Sequence, residues 1–508
     1  MKMRGLAGLL LPLLVAGCVE DPGLVFPTGF HWGAATSAHQ IEGGNTNNNW
    51  HQFETLPEFA GKTKGASGKA ADSYRRFDED ARIAGEMGLD SYRFSIEWSR
   101  IEPKRDVWDE GELAHYDQVI DSVVARGLRP VVTLHHFTDP IWVSDLSRLA
   151  ECPASGAVDD TNMCGWANTE VRDEWVEFVE HVASRYGDRV DYWITINEPV
   201  ANLFAGYLFG VFPPGQMFQP YDSVVPVLRN LVDAHSRAHS AIHRVDVKDA
   251  DADGEAAVVG VTQSVGWYVP ADPALEQDRS AARQATYFMN HLFTDALFHG
   301  GLDTNLDYTR DESHPEWRNK LDFVGLQYYY RAPTASFQLI APLSFMFCMK
   351  SVDSYIPQLS KMLGCPKVDP VDQTLMGYEH WPQGLYEVVK EFNARFPGVP
   401  LIVTENGIST ESGRRRAQSI VRHLQWLHRA IEEGVDVRGY YHWSLIDNFE
   451  WAEGYEQPFG LHRVDHDTFA RTATEGAQVL GQVAAGNAVS PELGQQYGEG
   501  PMSPEPAL

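Results

Sequence analysis

Eight short apolar or β-branched runs recur along the chain, and most are separated by stretches whose apolar residues return every three to four positions. The runs are Phe30–Thr36, Leu89–Ile96, Arg129–His136, Val190–Asn197, Ala256–Ser264, Leu321–Tyr328, Val399–Glu405 and Val437–Ser444. Helical spacing marks Asp72–Met87, Thr169–Tyr186, Gln284–Phe298 and Arg416–Glu433. Gly88, Gly127, Gly187 and Gly434 punctuate element ends. Strand alternating with helix eight times predicts an α/β fold, a single (β/α)8 barrel over residues 25–485. The runs are mostly apolar rather than strictly alternating, as parallel strands covered on both faces require.

Chemistry on such barrels sits at the C-terminal ends of the strands. The fourth run ends in Asn197-Glu198-Pro199 and the seventh in Glu405-Asn406-Gly407, so both glutamates are expected in one mouth. Gln40, His136 and Tyr328-Tyr329 are polar tips of other runs. Residues 137–168 and 331–377 read as long loops at that mouth. The second holds an apolar patch, Phe337 to Met349, for which lining a binding cleft or touching membrane are alternatives to the preferred expectation, a small helix covering the barrel. Residues 486–508, rich in Gly, Pro, Ser and Glu, read as a disordered tail. Asp249 to Gly254 starts like a calcium loop, but Gly260 stands where the bidentate glutamate belongs, so an acidic surface turn is expected.

The N-terminus reads as a targeting segment. Lys2 and Arg4 precede Gly5–Gly17, which is apolar and too short to span a bilayer. Val15-Ala16-Gly17-Cys18 resembles a bacterial lipobox. Residues 1–17 are then a signal peptide, Cys18 the lipidated mature N-terminus and 18–24 a tether, with a plain secretion signal as the alternative. Export to the cell envelope follows, with membrane contact only through the lipid. Four further cysteines form two close pairs, Cys152 with Cys164 and Cys348 with Cys365, which are expected disulfides in an oxidising compartment. A net charge of −29 argues against nucleic acid as partner, because it repels phosphate.

Two carboxylates facing each other across a barrel mouth admit a metal site, a structural pair, or an acid and nucleophile for glycosidic bonds. A metal wants more ligands, and the adjacent His135 and His136 point to opposite faces of their strand. An Asn beside each glutamate and the surrounding aromatics favour catalysis.

Several motifs in order carry a resemblance. "FPTGFHWGAATSAHQIEG" (26–43), "GLDSYRFSIEWSRIEP" (88–103), "VVTLHHF" (131–137), "TINEP" (195–199), "DFVGLQYY" (322–329), "VTENG" (403–407) and "WSLIDNFEWAEGYEQPFGL" (443–461) resemble those of family 1 glycoside hydrolases of the β-glucosidase type. The resemblance implies a retaining β-glycosidase acting on β-glucosides or short β-glucans, without metal or cofactor. Glu198 is then the acid/base and Glu405 the nucleophile, their carboxyl groups about 5–5.5 Å apart. Arg93 and Tyr329 would orient Glu405. Gln40, His136, Asn197, Trp443, Glu450, Trp451 and Phe459 would bind the sugar, with an ionised Glu450 repelling a 6-phosphate. β-Galactosidase, β-fucosidase or transglycosidase activity are alternatives within the fold. A non-hydrolytic sugar-binding barrel is another, though it should lack one carboxylate. The sequence departs from the family pattern where Phe137 stands for a usual tryptophan, where Gln327 stands for an asparagine, and where His135-His136-Phe137 replaces the common Tyr-His-Trp.

Overall fold

Parallel strands β1 (His31–Ala35), β2 (Ser91–Ser95), β3 (Arg129–His135) and β4 (Tyr192–Asn197) form one half of a barrel. Strands β5 (Val258–Pro270), β6 (Phe323–Ile340), β7 (Leu401–Asn406) and β8 (Val437–Trp443) form the other. Each pairs with the next in parallel and β8 pairs with β1, so the ring has no edge. The structure is a computed structural model that describes residues 21–152, 157–350 and 358–506. The proposed signal peptide and Cys18 lie outside the described residues. No described helix is long and apolar enough to cross a membrane.

All eight strands start within two residues of the expected positions. Helices such as Ser73–Glu86, Val171–Tyr186, Tyr221–Val245 and Gly413–Glu432 pack outside, burying one apolar face each. Inside, Ala35, Val131, Ile194, Phe323, Ile402 and Tyr441 fill the barrel. A Cβ on Gly33 would stand 2.3 Å from the Tyr441 ring, so only glycine lets that ring cross the floor, where its hydroxyl meets Ser91 at 2.6 Å.

Three expectations change. The helix expected over Gln284–Phe298 is broken: an α-helix Glu276–Thr286 passes through a π-turn, Tyr287–His291, into Leu292–His299. The patch Phe337 to Met349 is a β-hairpin rather than a helix. β5 and β6 continue past the barrel as a paired ribbon, and β6 folds back antiparallel onto Leu343–Phe347. Its aromatic residues suit a strand packed on one face. The tail is ordered as well. Ala488–Val489 pairs with Leu24–Val25, and Pro491–Tyr497 is a helix capped by Ser490. Arg422 donates to the carbonyls of Tyr497, Glu499 and Gly500, and Arg415 to that of Ser503. Low hydrophobicity suggested disorder, but Leu493, Tyr497 and Met502 are buried and arginines of a barrel helix satisfy the tail's backbone.

Disulfides join Cys152 to Cys164 and Cys348 to Cys365, with Cα atoms 5.7 and 5.5 Å apart. At Asp249–Gly254 the Asp249 carboxylate accepts the Asp253 and Gly254 N–H groups, and Asp191 accepts those of Ala250 and Asp251, closing an exposed acidic turn.

Candidate active site

β4 ends at Asn197, and the next residue turns sharply. Glu198 has left-handed backbone angles, φ 45° and ψ 55°, and its N–H donates to the Thr262 carbonyl at 2.9 Å. Such a conformation is uncommon for a residue with a Cβ and is held only where the surroundings fix it. Here Pro199 opens a short helix on one side and β5 holds the backbone on the other. The carboxyl is left facing the cleft.

Glu405 is held by three donors. Its Oε1 accepts from Arg93 Nη1 at 2.5 Å and Gln327 Nε2 at 2.6 Å, and its Oε2 accepts from the Tyr329 hydroxyl at 2.6 Å. Gln327 and Tyr329 are two residues apart on β6 and share its inner face, whereas Tyr328 turns outward to the Trp381 carbonyl. Arg93 is wholly buried and also donates to Thr133 Oγ1 and the Thr404 carbonyl. Asn197 Oδ1 accepts both Arg93 Nη2 (2.7 Å) and Gln327 Nε2 (2.8 Å), which leaves its amide NH2 to face the cleft.

These environments separate the two carboxyls. Burial raises the proton affinity of Glu198 well above the usual range, and the charge of Glu405 raises it further. Burial also raises Glu405, but Arg93 and the Tyr329 hydroxyl pull it back. Glu198 is thus raised further than Glu405, so a proton shared by the pair favours Glu198. Burial keeps the Tyr329 phenol well above 10, so it remains a donor. His136 is kept neutral by burial and by Arg93.

Glu450 differs from the sequence-based expectation of an ionised group. Burial, then the charge of Glu405, pushes it up to about 8, so it carries a proton at neutral pH. Trp443 and Gln40 are its hydrogen-bond partners. The Trp443 ring lies near-parallel to His136 at 6.0 Å, and His136 to Trp451 at 5.9 Å, while Phe459 meets Tyr329 edge-on. Phe137 sits edge-on to Trp451 and contributes only hydrocarbon there.

The cleft, about 280 Å³, gathers His136, Asn197, Glu198, Tyr329, Glu405, Trp443, Glu450, Trp451 and Phe459. Two of the expected site residues lie behind it. Arg93 reaches the site through Glu405 and Asn197. Gln40 is fully buried, accepting from Ser37 and donating to Asn448, the Phe449 carbonyl and Glu450. Sequence reasoning passed over the role of Gln327, although inner-face parity with Tyr329 would have found it, and over Ser264, which hydrogen-bonds Glu198. None of the described residues lining the cleft is Lys or Arg. Among the described residues, carboxylate and histidine groups close enough to share a cation are His239–His243–Asp322, Glu102–Asp106–Glu174 and Asp191–Asp249–Asp251; none includes Glu198 or Glu405.

Known proteins are similar to this chain over nearly its whole length. β-Galactosidase of Pyrococcus woesei is 30% identical, with 93% of this chain and 99% of that one covered. β-Glucosidase A of Thermotoga maritima is 33% identical, with 91% and 98% covered. Among solved structures, a β-glycosidase from Pyrococcus horikoshii superposes with a TM-score of 0.78 at 31% identity, covering 94% of this chain and 99% of its own. A family 1 β-glucosidase from Thermotoga maritima gives 0.77 at 30%, with 92% and 99% covered. The family profile described as glycosyl hydrolase family 1 matches residues 24–489. A closed barrel with two unequal carboxylates at its mouth, matched over nearly its whole length by such relatives, belongs to glycosyl hydrolase family 1 and is a glycoside hydrolase.

Proposed function

We propose that the enzyme is a retaining β-glucosidase working by double displacement. The observation that carries this reading is the inequality of the two carboxyls: Glu405 is gripped by three donors, whereas burial and the neighbouring charge raise the proton affinity of Glu198 well above the usual range. Glu405 attacks the anomeric carbon while Glu198 gives its proton to the departing oxygen. Once Glu405 is esterified its charge is gone, the proton affinity of Glu198 falls, and Glu198 takes a proton from the incoming water. The Asn197 NH2 would meet the 2-hydroxyl, a contact that strengthens as the transition state forms. Trp443 offers a face to the sugar ring. Glucose is preferred as the sugar because the relative at 33% identity is named a β-glucosidase.

Azide rescue tests the roles. Glu405→Gly with azide should yield the inverted α-glycosyl azide. Glu198→Ala, given a substrate with an activated phenol leaving group, should accumulate the glycosyl-enzyme and yield the retained β-azide. The opposite stereochemistry in either variant reverses the roles, and full activity in either ends the mechanism.

We also propose that the mature chain begins at lipidated Cys18 on the bacterial envelope, on the basic, apolar and small-residue pattern of residues 1–18. Labelled fatty acid should enter the parent and not Cys18→Ser; equal labelling refutes it.

A further inference from the structure

Past Glu198 the cleft changes character. Its lining there includes Phe204, Phe209, Met289, Met346, Phe347 and Met349. Two irregular helices deliver part of this wall. Phe204 opens the π-turn Phe204–Leu208, and Met289 sits inside the π-turn Tyr287–His291. Such turns widen a helix and often mark functional sites. The hairpin after β6 delivers the rest, and the Cys348–Cys365 disulfide holds its end. The rings are in mutual contact: Phe204 lies 4.5 Å from Phe209 and 5.7 Å from Phe347. Phe204, Phe209 and Met349 nevertheless keep part of their surface uncovered.

Polar groups on this side are mostly engaged elsewhere. Ser264 bonds Glu198, and the Tyr330 hydroxyl bonds that of Tyr268 at 3.2 Å. A second sugar would press hydroxyls against Phe and Met side chains, and each hydroxyl left without a partner opposes binding. An apolar group gains by burial in the same place, and the flexible methionines adapt to its shape.

We propose that this half of the cleft receives a hydrophobic aglycone, an alkyl, aryl or fused-ring hydrocarbon. The preferred substrates are then β-glycosides of apolar alcohols rather than β-linked glucans. This rests on the glycosidase reading above, and the test separates the two. Hydrolysis of p-nitrophenyl β-glycosides by the purified enzyme first identifies the sugar; if none is hydrolysed, the glycosidase reading itself falls. On the preferred sugar, kcat/KM is then compared for methyl, butyl, hexyl and octyl glycosides and for the disaccharide. All leave as simple alcohols, so differences report aglycone binding. The expected rise is up to about fourfold per methylene, with the octyl glycoside at least about tenfold above the disaccharide. Phe204→Gln and Met349→Gln, each checked for an unchanged Tm, should flatten that rise. A flat chain-length profile in the parent, a disaccharide preferred over the octyl glycoside, or an unflattened rise in both folded variants overturns the proposal and leaves the glycosidase reading standing.

Discussion

Gln327 places its side-chain nitrogen 2.6 Å from Oε1 of Glu405, on the oxygen that Arg93 also holds. The same nitrogen reaches Asn197 Oδ1 at 2.8 Å. One amide thus ties Glu405, the proposed nucleophile on β7, to the cleft-facing amide of Asn197 on β4. Its longer side chain suffices to reach both, where the family pattern has asparagine. A hydrogen bond to a charged group contributes about 1.5–3 kcal/mol. Gln327→Leu should therefore lower kcat/KM by roughly 10- to 100-fold. Loss of a donor to the charged form raises Glu405, so the acidic limb of the kcat/KM profile should move to higher pH. An unmoved limb would refute the contact's role.

The unequal carboxyls set the rest of that profile. Activity falls on the acid side as the pair takes up its second proton, and on the alkaline side as Glu198 loses the one it holds. Glu198→Gln, assayed by the burst of an activated aryl glycoside, should lose the alkaline limb of the glycosylation step and keep the acid one.

Glu450 offers a test through stability. Its folded value of about 8 lies above the ordinary glutamate value of 4.5. The protonated form is thus favoured by folding, and its contribution is full below about pH 4.5 and lost as pH rises through about 8. Glu450→Gln cannot ionise. Its Tm relative to the parent should rise between pH 5 and 9 and stay level below pH 4.5. Activity should meanwhile fall by roughly tenfold or more, because a sugar hydroxyl loses a partner.

The two disulfides span 12 and 17 residues of sequence. Closing loops of that size contributes about 3 kcal/mol each in the chain-entropy model. Cys152→Ser with Cys164→Ser, and the matching pair at Cys348 and Cys365, should each lower the Tm by a few degrees. Peptide mapping without reductant should recover both links.

The barrel was readable because burial on both strand faces leaves continuous apolar runs, and all eight strands start within two residues of the expected places. Glu198 and Glu405 were readable because a strand that ends in a carboxylate breaks its own pattern. The hairpin at 337–347 was not. A short apolar run satisfies strand and helix alike, and the β6 ribbon it folds back on is held by β5, Pro270 pairing with Thr334 across 64 residues of sequence. The tail escaped for a different reason. Its order depends on Arg415 and Arg422, polar residues on another element, and composition of the tail itself carries no trace of them. Gln40 matched a motif correctly, yet its fully buried side chain shows that a motif residue here supports Glu450 rather than lining the cleft.

The pairing of Leu24–Val25 with Ala488–Val489 also fixes where the N-terminal stretch leaves the barrel. Val25 accepts from His428, near the end of the helix Gly413–Glu432 that descends to the start of β8. The chain's N-terminal stretch therefore leaves from the barrel floor, opposite Glu198 and Glu405. Residues 18–23 reach at most about 20 Å when extended. On the lipidated form proposed for Cys18, so short a leash stands the barrel upright on the bilayer. The catalytic opening then points away from the lipid, toward substrates arriving from the aqueous side.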